Sequence, residues 1–416
     1  MSGRTAPAGN KLVNNNLQEC HINDGGTQVL LKFSNNLAEV QACWQSFETT
    51  SWHSSFQTFN WVQAWLDVET KNRNLQPLII RAYQADKLVF IMPLVIEQKH
   101  GFKQMSWMAN ELNDYNMPLA LAEFITSASP QLMKKIWQNI GLNQADVDLY
   151  SVSRQPQYWK KLRNPFIIEP SFQSSCSTHL MSLRKNWAEL YDEMRGKKTQ
   201  KRLKQKLNKL KNIGQVSFRS PKKQIEKQEL LEVIYAWKID QLAQKGDRKP
   251  AVFTSLHTIL ETLVSQKNSK FVRLLGLYLD GKPIAGMVVF IDNKNFSFFN
   301  TAYKPDFVPN CSVGKILLVK SMELAARGGF ENFDFMAGDE VYKSEWANQS
   351  IVLEDNFFGL SAKGKLYAHY KYLKLNLKKK LKNNQSAMVF LRRFNIIRRK
   401  VNDILGNIGQ DKKIRK

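Results

Sequence analysis

The chain contains the same hairpin pattern twice. PLIIRAYQADKLVFIMPLVIE (77–97) and FVRLLGLYLDGKPIAGMVVFI (271–291) each consist of two β-rich segments that a short turn joins. The second turn, Asp280-Gly281, is a strong hairpin signal because both residue types tolerate a positive φ. A repeated unit of this kind predicts a fold built by duplication.

The segments around the hairpins alternate between helical and strand patterns. A helix is expected over Ser55–Asp67, before the first hairpin, and a third strand over Phe296–Tyr303, after the second. Ser312 is expected to open a further helix that stops at Gly328-Gly329, and Phe333–Met336 reads as the next strand. This order predicts a mixed α/β sheet with a βαβ-like unit near its end.

Composition limits the class of protein. A chain of 416 residues with 43% hydrophobic content can form two domains with cores of ordinary size. Its apolar runs are shorter than the roughly 20 residues of a membrane-spanning helix, and its polar first 16 residues do not resemble a secretory signal. The four cysteines lack metal-ligand spacing, so free thiols, no metal and a cytoplasmic location are expected.

The net charge of +25 is concentrated in two segments. Residues 363–416 contain 17 Lys or Arg and two acids, and residues 195–211 contain nine bases and no acid. Both segments also carry leucines at helical spacing. Each is therefore predicted to be a basic amphipathic helix that either is merely solvated or binds an anionic membrane surface or a nucleic acid.

Several common enzyme motifs are absent from the sequence. There is no phosphate-binding GxxxxGK[ST] loop, no GxGxxG after a strand, no HExxH and no GxSxG. Titratable side chains instead follow the expected strand Phe333–Met336, where FDFMAGDEVYKSEW turns at Gly338. Such strand ends often carry catalytic groups, although a solvated loop would also be charged.

An ordered series of segments resembles the GNAT-type acyltransferases, and more closely their CelD-like (BioF2-like) branch, which is associated with polysaccharide biosynthesis and related to Fem-type transferases. The segments that carry the resemblance are FQTFNWVQAW, LNDYNMPL, the basic helix, LDGKPIAGMVVF, AYKPDF, SVGKILL and FDFMAGDEVYKSEW. It implies an α/β (α+β) fold of two tandem GNAT-like domains with mixed sheets and a basic helical C-terminal tail. The expected boundaries are 1–28 for a disordered N-terminus, 29–180 and 181–362 for the two domains, and 363–416 for the tail.

The resemblance implies acyl-CoA as co-substrate, bound by the second domain. The positions that match its pyrophosphate-binding turn are Ser312, Val313, Gly314 and Lys315. Backbone N–H groups at a helix N-terminus, assisted by the helix dipole, can hold such a group. Alternatively, Gly314 only permits close packing of the helix.

The resemblance also implies residues for chemistry and for the acceptor. Asp339 or Glu340 is expected to be the base and Tyr342 the acid that protonates the departing thiolate, with two neighbouring carboxylates raising each other's pKa. Alternatively, the two acids cap the following helix, or Lys343 neutralises them. The expected acceptor-binding residues are Asp114, Tyr115, Asn300, Tyr303, Lys343 and Trp346, although Asp114-Tyr115-Asn116 could equally be a turn whose Tyr115 packs in the domain interface.

The function that follows is transfer of an acyl group from acyl-CoA to an amine or hydroxyl of an envelope or exopolysaccharide precursor such as an amino sugar. The tail would hold the enzyme at the inner membrane surface. One alternative is a Fem-like transferase that uses aminoacyl-tRNA, with the basic helices contacting RNA backbone. Another is a non-catalytic scaffold that binds nucleic acid or organises an assembly.

Overall fold

The computed structural model describes residues 19–144, 146–159, 161–245, 250–265, 271–292, 294–304 and 308–383. Its strands are β1 Cys20–Asp24, β2 Thr27–Ser34, β3 Leu75–Gln84, β4 Lys87–Lys99, β5 Phe102–Trp107, β6 Leu119–Ala120, β7 Leu149–Pro156, β8 Tyr158–Trp159, β9 Leu162–Arg163, β10 Phe172–Ser182, β11 Val216–Arg219, β12 Val272–Leu279, β13 Lys282–Asp292, β14 Asn295–Tyr303, β15 Asn332–Ala337 and β16 Gln349–Gly359. Its helices are α1 Leu37–Glu48, α2 Phe59–Glu69, α3 Ala122–Ser127, α4 Pro130–Asn143, α5 Trp187–Met194, α6 Lys197–Ile213, α7 Gln224–Lys245, α8 Pro250–Ser265, α9 Val313–Arg327, α10 Val341–Trp346 and α11 Ala362–Asn383. A 3₁₀ turn, Ser55–Gln57, precedes α2.

The expected duplication is present. In each half an antiparallel hairpin pairs with a third strand, which then runs parallel to a fourth: β3–β4–β5 with β7, and β12–β13–β14 with β15. Both hairpin turns have two residues of positive φ, Ala85-Asp86 and Asp280-Gly281. Such turns match the right-handed twist of the strands they join, which is why both hairpins form at these positions.

The two halves share one continuous sheet because they exchange strands. The sheet order is β1-β2-β3-β4-β5-β7-β16-β10-β15-β14-β13-β12-β11, with β6 paired to β4. β16, from the end of the second half, pairs with β7 of the first half, and β10 pairs with β15 of the second. The expected boundary between residues 180 and 181 therefore cuts through β10, and neither half forms its sheet alone.

Aromatic side chains pack across the junction of the halves. The ring of Phe56, in the 3₁₀ turn before α2, lies 5.6 Å from that of Phe290 in β13 and 5.7 Å from that of Phe299 in β14. Trp61 of α2 lies 5.4 Å from Phe290. Because these rings are large and largely buried, they fix the first half against the strands that carry the second.

The ends of the expected domains need correction. Residues 20–28 were expected to be disordered, but Cys20–Asp24 forms β1 and Thr27 begins β2, so the sheet starts inside that segment. The basic segment after residue 186 forms two helices, α5 and α6, on either side of Arg195-Gly196. Residues 1–18 and 384–416, including most of the expected tail, lie outside the described ranges.

The described part of the tail is integrated into the fold. The ring of Tyr367 in α11 lies 4.4 Å from that of Phe102, and the ring of Tyr372 lies 4.6 Å from that of Phe172. The stripe of large apolar residues that the sequence places on one side of this helix faces solvent instead: Leu366, Tyr370, Leu373 and Leu377 are 75%, 53%, 54% and 59% exposed. No helix in the described ranges is long and apolar enough to cross a membrane.

Candidate functional site

The strands β14 and β15 pair only over the start of β15, and we call the part beyond this pairing the β14–β15 slot. The two strands pair in parallel over three positions, ending at Ser297 and Asp334. The register against β13 also shifts, since Val288 faces Asn300 whereas Val289 faces Phe298, so Phe299 is an extra residue on β14. A bulge beside diverging parallel strands leaves backbone polar groups directed into the slot, where an extended ligand can pair with them.

Tyr342 lies across this slot. Its ring, on α10, is 6.4 Å from that of Phe298 on β14 and 6.5 Å from that of Phe335 on β15. Burial, with the nearby charge of Glu340, raises the pKa of Tyr342 above its usual value. The phenol is therefore protonated near neutral pH and can donate a proton to a group in the slot.

Gly338 lets the chain turn sharply after β15. Its φ of +139° is readily adopted only by glycine, and a Cβ there would lie 2.6 Å from the Lys343 ammonium. The buried Lys343 donates to Ala337 O at 2.7 Å and pairs with Glu340 at 3.1 Å. Lys343 is thus a fixed positive charge at the end of β15.

Glu340 does not have the raised pKa that was expected of the two acids after Gly338. Burial acts to raise the pKa of Glu340, but the charge and hydrogen bond of Lys343 hold it below its usual value. Glu340 occupies the N-cap position of α10 without a side-chain cap bond. Asp339 accepts the Ser177 N–H at 3.2 Å, so it ties β15 to β10. Of the alternatives, neutralisation of Glu340 by Lys343 agrees with this geometry.

Asp114 reaches the same strand end from the first half. Its carboxylate accepts the backbone N–H of Ala337 and lies near the charges of Arg154 and Lys343. Burial dominates and raises the pKa of Asp114 from 3.8 to about 6. A carboxylate with a pKa near neutrality is a better proton acceptor than an ordinary one, so Asp114 is the strongest candidate for a base.

The neighbouring Tyr115 belongs to a buried network that joins the halves. Its hydroxyl contacts Thr178 of β10 and lies 2.6 and 2.7 Å from the two carboxylate oxygens of Asp334 in β15. Asp334 in turn accepts the N–H of Met336, which has a φ of +62°. Tyr115 therefore has the interface role that was one of its two interpretations, and it positions Asp114. Asp334 was missed, although a single acid inside an apolar strand was a signal.

The N-terminus of α9 combines a helix dipole with lysines. Ser312 is its N-cap residue, with a φ of +53°, and makes no side-chain cap bond. Instead, Lys206 of α6 donates to Ser312 Oγ at 2.5 Å, and the exposed Lys315 follows in the first turn. A Cβ on Gly314 would lie 3.1 Å from the Tyr303 ring, so this glycine also permits close packing. Lys206 was missed because only the fold brings α6 to α9.

The remaining predicted residues divide between the site and the core. Asn300 lines a small cavity with Lys238 of α7, whose charge also acts on Glu340, so Asn300 lies beside the site. Tyr303 accepts a hydrogen bond at its carbonyl from Gln241 of α7. Trp346 is corrected to a packing role: it is buried between Tyr191, at 5.9 Å, and the Arg195 guanidinium, at 3.9 Å.

The corresponding gap in the first half is filled by charged side chains. β5 and β7 separate after Met105 and Tyr150, beside a cavity of about 120 Å³. Arg73 there pairs with Glu69, Glu97 and Glu111, and Tyr367 and Lys371 of α11 line the same cavity. The two halves thus share a topology but differ in chemistry at this point.

One cluster of metal-type ligands occurs among the described residues, between α7 and α8. His257 Nε2 lies 3.3 Å from Glu232, and its Nδ1 lies 3.6 Å from Glu261. The imidazole bridges the two carboxylates through opposite ring nitrogens, whereas one ion would bind a single nitrogen. The contacts of His257 therefore do not have the geometry of a metal site.

Comparisons with known proteins agree with this topology. Residues 197–344 match a family model described as an acetyltransferase (GNAT) domain. FemX superposes with a TM-score of 0.52 at 8% sequence identity, covering 78% of this chain and 96% of FemX. No curated protein sequence matches the chain.

Two further solved structures are similar at lower scores. A tandem GNAT protein from the clavulanic acid biosynthesis pathway covers 80% of this chain and 99% of its own, at 10% identity and a TM-score of 0.44. The C-terminal domain of a putative lysylphosphatidylglycerol synthetase from Agrobacterium fabrum covers 82% and 97%, at 12% identity and 0.45. The family match, the FemX likeness and the repeated topology confirm the expected α/β fold of tandem GNAT-like units.

Proposed function

We propose that the protein is an acyl-CoA-dependent N-acyltransferase whose donor site lies in the second half. The observation that carries the proposal is the contrast between the halves. The β14–β15 slot has Tyr342 across it and Asp114 at its strand end, whereas the β5–β7 gap is filled by the ion pairs of Arg73. The GNAT family match also lies in the second half.

The donor would use two features of the second half. Its pyrophosphate, with negative charge, suits the N-terminus of α9, where Lys206 and Lys315 add positive charge. Its pantetheine arm, which carries amide groups, suits the backbone of the diverging strands β14 and β15. The thioester would then lie near Tyr342.

Acyl transfer divides the proton transfers between two side chains. An acceptor that binds as an ammonium ion first releases one proton to solvent. Its neutral nitrogen then attacks the thioester carbonyl, so a C–N bond forms and the C–S bond breaks. Asp114 takes the proton that the nitrogen loses as it forms the new bond, and Tyr342 gives a proton to the departing thiolate. Proton exchange with solvent then returns both side chains to their starting states. The Lys343 ammonium, which is paired with Glu340, stabilises negative charge near the strand end.

The proposed acceptor is inferred from the resemblance of the sequence to CelD-like acyltransferases. It favours an amino-sugar or related precursor of an envelope polysaccharide, acylated on the cytoplasmic side. A Fem-like enzyme would use the same fold with aminoacyl-tRNA, which the basic α6 could contact. Lys206, which donates to Ser312 at the N-terminus of α9, favours acyl-CoA, with its pyrophosphate, over aminoacyl-tRNA as the donor.

The exposed apolar stripe of α11 supports attachment to an anionic membrane. Leu366, Tyr370, Leu373 and Leu377 project from one side of a helix within a segment of net charge +15. A helix of this kind lies in the membrane interface with its apolar side buried and its lysines near anionic headgroups. The hydrophobic stripe adds a specific contact to the attraction expected from charge alone.

A thermal-shift titration with acetyl-CoA, a longer acyl-CoA and free CoA tests the donor. Ligands that bind only the folded protein raise its melting temperature by mass action, so a saturable shift is expected. Lys206→Ala is expected to weaken binding roughly tenfold or more, because it removes a charge-assisted phosphate contact. Lys204→Ala, an exposed lysine on the same helix, is the matched control. No shift with any of these ligands, together with salt-sensitive tRNA binding, would favour the Fem-like alternative.

A further inference from the structure

A large cleft lies on the far side of β15 from the donor slot. Its volume is about 960 Å³, and it is bounded by β10, the end of β16 and α11. The cleft exists because the register between β10 and β16 shifts between Gln173 and Ser177. Four steps along β10 match two along β16, so the segment Ser174–Cys176 bulges and presents backbone and hydroxyl groups to the cleft.

The inner end of the cleft is polar and borders the proposed reaction site. Asp339, which directly follows Gly338, lines it together with Ser177 and Cys176. The charges of Arg154, Asp114 and Asp339 all act on Cys176, which places this end beside the proposed base. Burial raises the pKa of the Cys176 thiol, so it stays protonated and is not a nucleophile.

The outer part of the cleft presents aromatic surface. Tyr372 of α11 and Phe358 of β16 line it and are 37% and 42% exposed. Phe172 supports Tyr372 at a ring distance of 4.6 Å. Exposed aromatic rings in a concave site, next to serine hydroxyls and a carboxylate, suit a ligand that has an apolar ring face, hydroxyl groups and a cationic amine.

We propose that this cleft binds the acyl acceptor as an amine on a hydroxylated ring, with the amine at Asp339 and the ring against Tyr372 and Phe358. The inference rests on the proposed function, for which it supplies the second substrate site. Donor and acceptor then approach the end of β15 from different sides. Because the outer stripe of α11 points away from the cleft, the same helix can face a membrane while its inner side holds the acceptor.

Isothermal titration calorimetry with a tetramer of glucosamine, and with its N-acetylated form, tests this site. The native protein is expected to bind the amine form in preference, because only that form carries a charge for Asp339. Tyr372→Ala is expected to weaken binding about tenfold by removing a stacking surface. Tyr370→Ala is the matched control, since Tyr370 is 53% exposed on the outer side of the same helix. Asp339→Asn is expected to abolish the preference for the amine form.

The outcomes separate this inference from the proposed function. Failure of the native protein to bind the glucosamine tetramer, or equal weakening by Tyr372→Ala and Tyr370→Ala, overturns the acceptor cleft. The acyl-CoA thermal shift, measured on the same proteins, persists if only the cleft assignment is wrong. Tetramer binding that depends on Tyr372 without any acyl-CoA shift would uphold the cleft and overturn the donor.

Discussion

Replacing Asp334 by asparagine tests whether the network between the halves contains a carboxyl group whose pKa is raised by burial. Asp334 is 6% exposed, and its burial raises its pKa from 3.8 to about 6, although Tyr115 donates to it. Between about pH 4 and 6 the folded protein therefore keeps a proton that the unfolded chain has released. The free energy of unfolding then falls as the pH rises through this window. At 1.36 kcal/mol for each tenfold change in proton affinity, the loss amounts to about 3 kcal/mol by pH 7.

The Asp334→Asn variant has no proton to release at this position but keeps an oxygen that can accept from Tyr115 and Met336. Urea unfolding at pH 4, 5, 6 and 7, followed by tryptophan fluorescence, should therefore show a native protein that loses about 2.4 kcal/mol more over this range than the variant does, because a small part of the loss has already occurred at pH 4. Asp86→Asn, in the exposed hairpin turn, should retain the native pH dependence. Equal pH dependence of the native protein and Asp334→Asn would show that burial does not raise the pKa of Asp334.

Three further predictions concern activity and attachment. Tyr342→Phe keeps the ring between Phe298 and Phe335, so the variant should fold normally. It should lower kcat by roughly 10²–10⁴-fold in an assay of CoA release from acetyl-CoA with the glucosamine tetramer as acceptor. An unchanged kcat would exclude Tyr342 as the acid. Because Asp114 must lose its proton to act, kcat/KM should rise through about pH 6 and then level off, and Asp114→Asn should be slow and lack that rise. Leu373→Ser should lower the affinity for phosphatidylglycerol vesicles, measured by co-sedimentation, roughly tenfold. Leu142→Ser is the control and should leave this affinity unchanged, since Leu142 is 75% exposed on α4. Equal effects of the two substitutions would contradict membrane docking by α11.

The charge of the tail and the exposed stripe of α11 can be tested separately, because α11 also packs on the sheet. A truncation at Lys363 would remove the ring contacts of Tyr367 with Phe102 and of Tyr372 with Phe172. It would therefore disturb the fold as well as any membrane contact. Removing residues 384–416 keeps all of α11 and still deletes nine bases. Comparison of this truncation with Leu373→Ser separates the contribution of charge from that of the exposed stripe.

Local sequence patterns determined the repeated elements of this protein. The Asp280-Gly281 turn, the helix that Ser312 precedes and the strand ending before Gly338 all lie where the sequence predicted them. These features depend on the φ preferences of single residues and on the spacing of apolar residues that are close together in the chain. The sequence alone is therefore sufficient to predict them. The ordered series of such segments was also enough to predict the fold class.

Contacts between distant segments were decided only by the tertiary structure. The exchange of β10 and β16, the Tyr115–Asp334 network and the Lys206–Ser312 contact each join residues more than 100 positions apart. Burial and neighbouring charge, which no local pattern reveals, raise the pKa of Asp114 and lower that of Glu340. Sequence thus located the strand end of the candidate site. Three-dimensional packing set the protonation and the partners of the groups there, because both depend on which distant side chains exclude water from them.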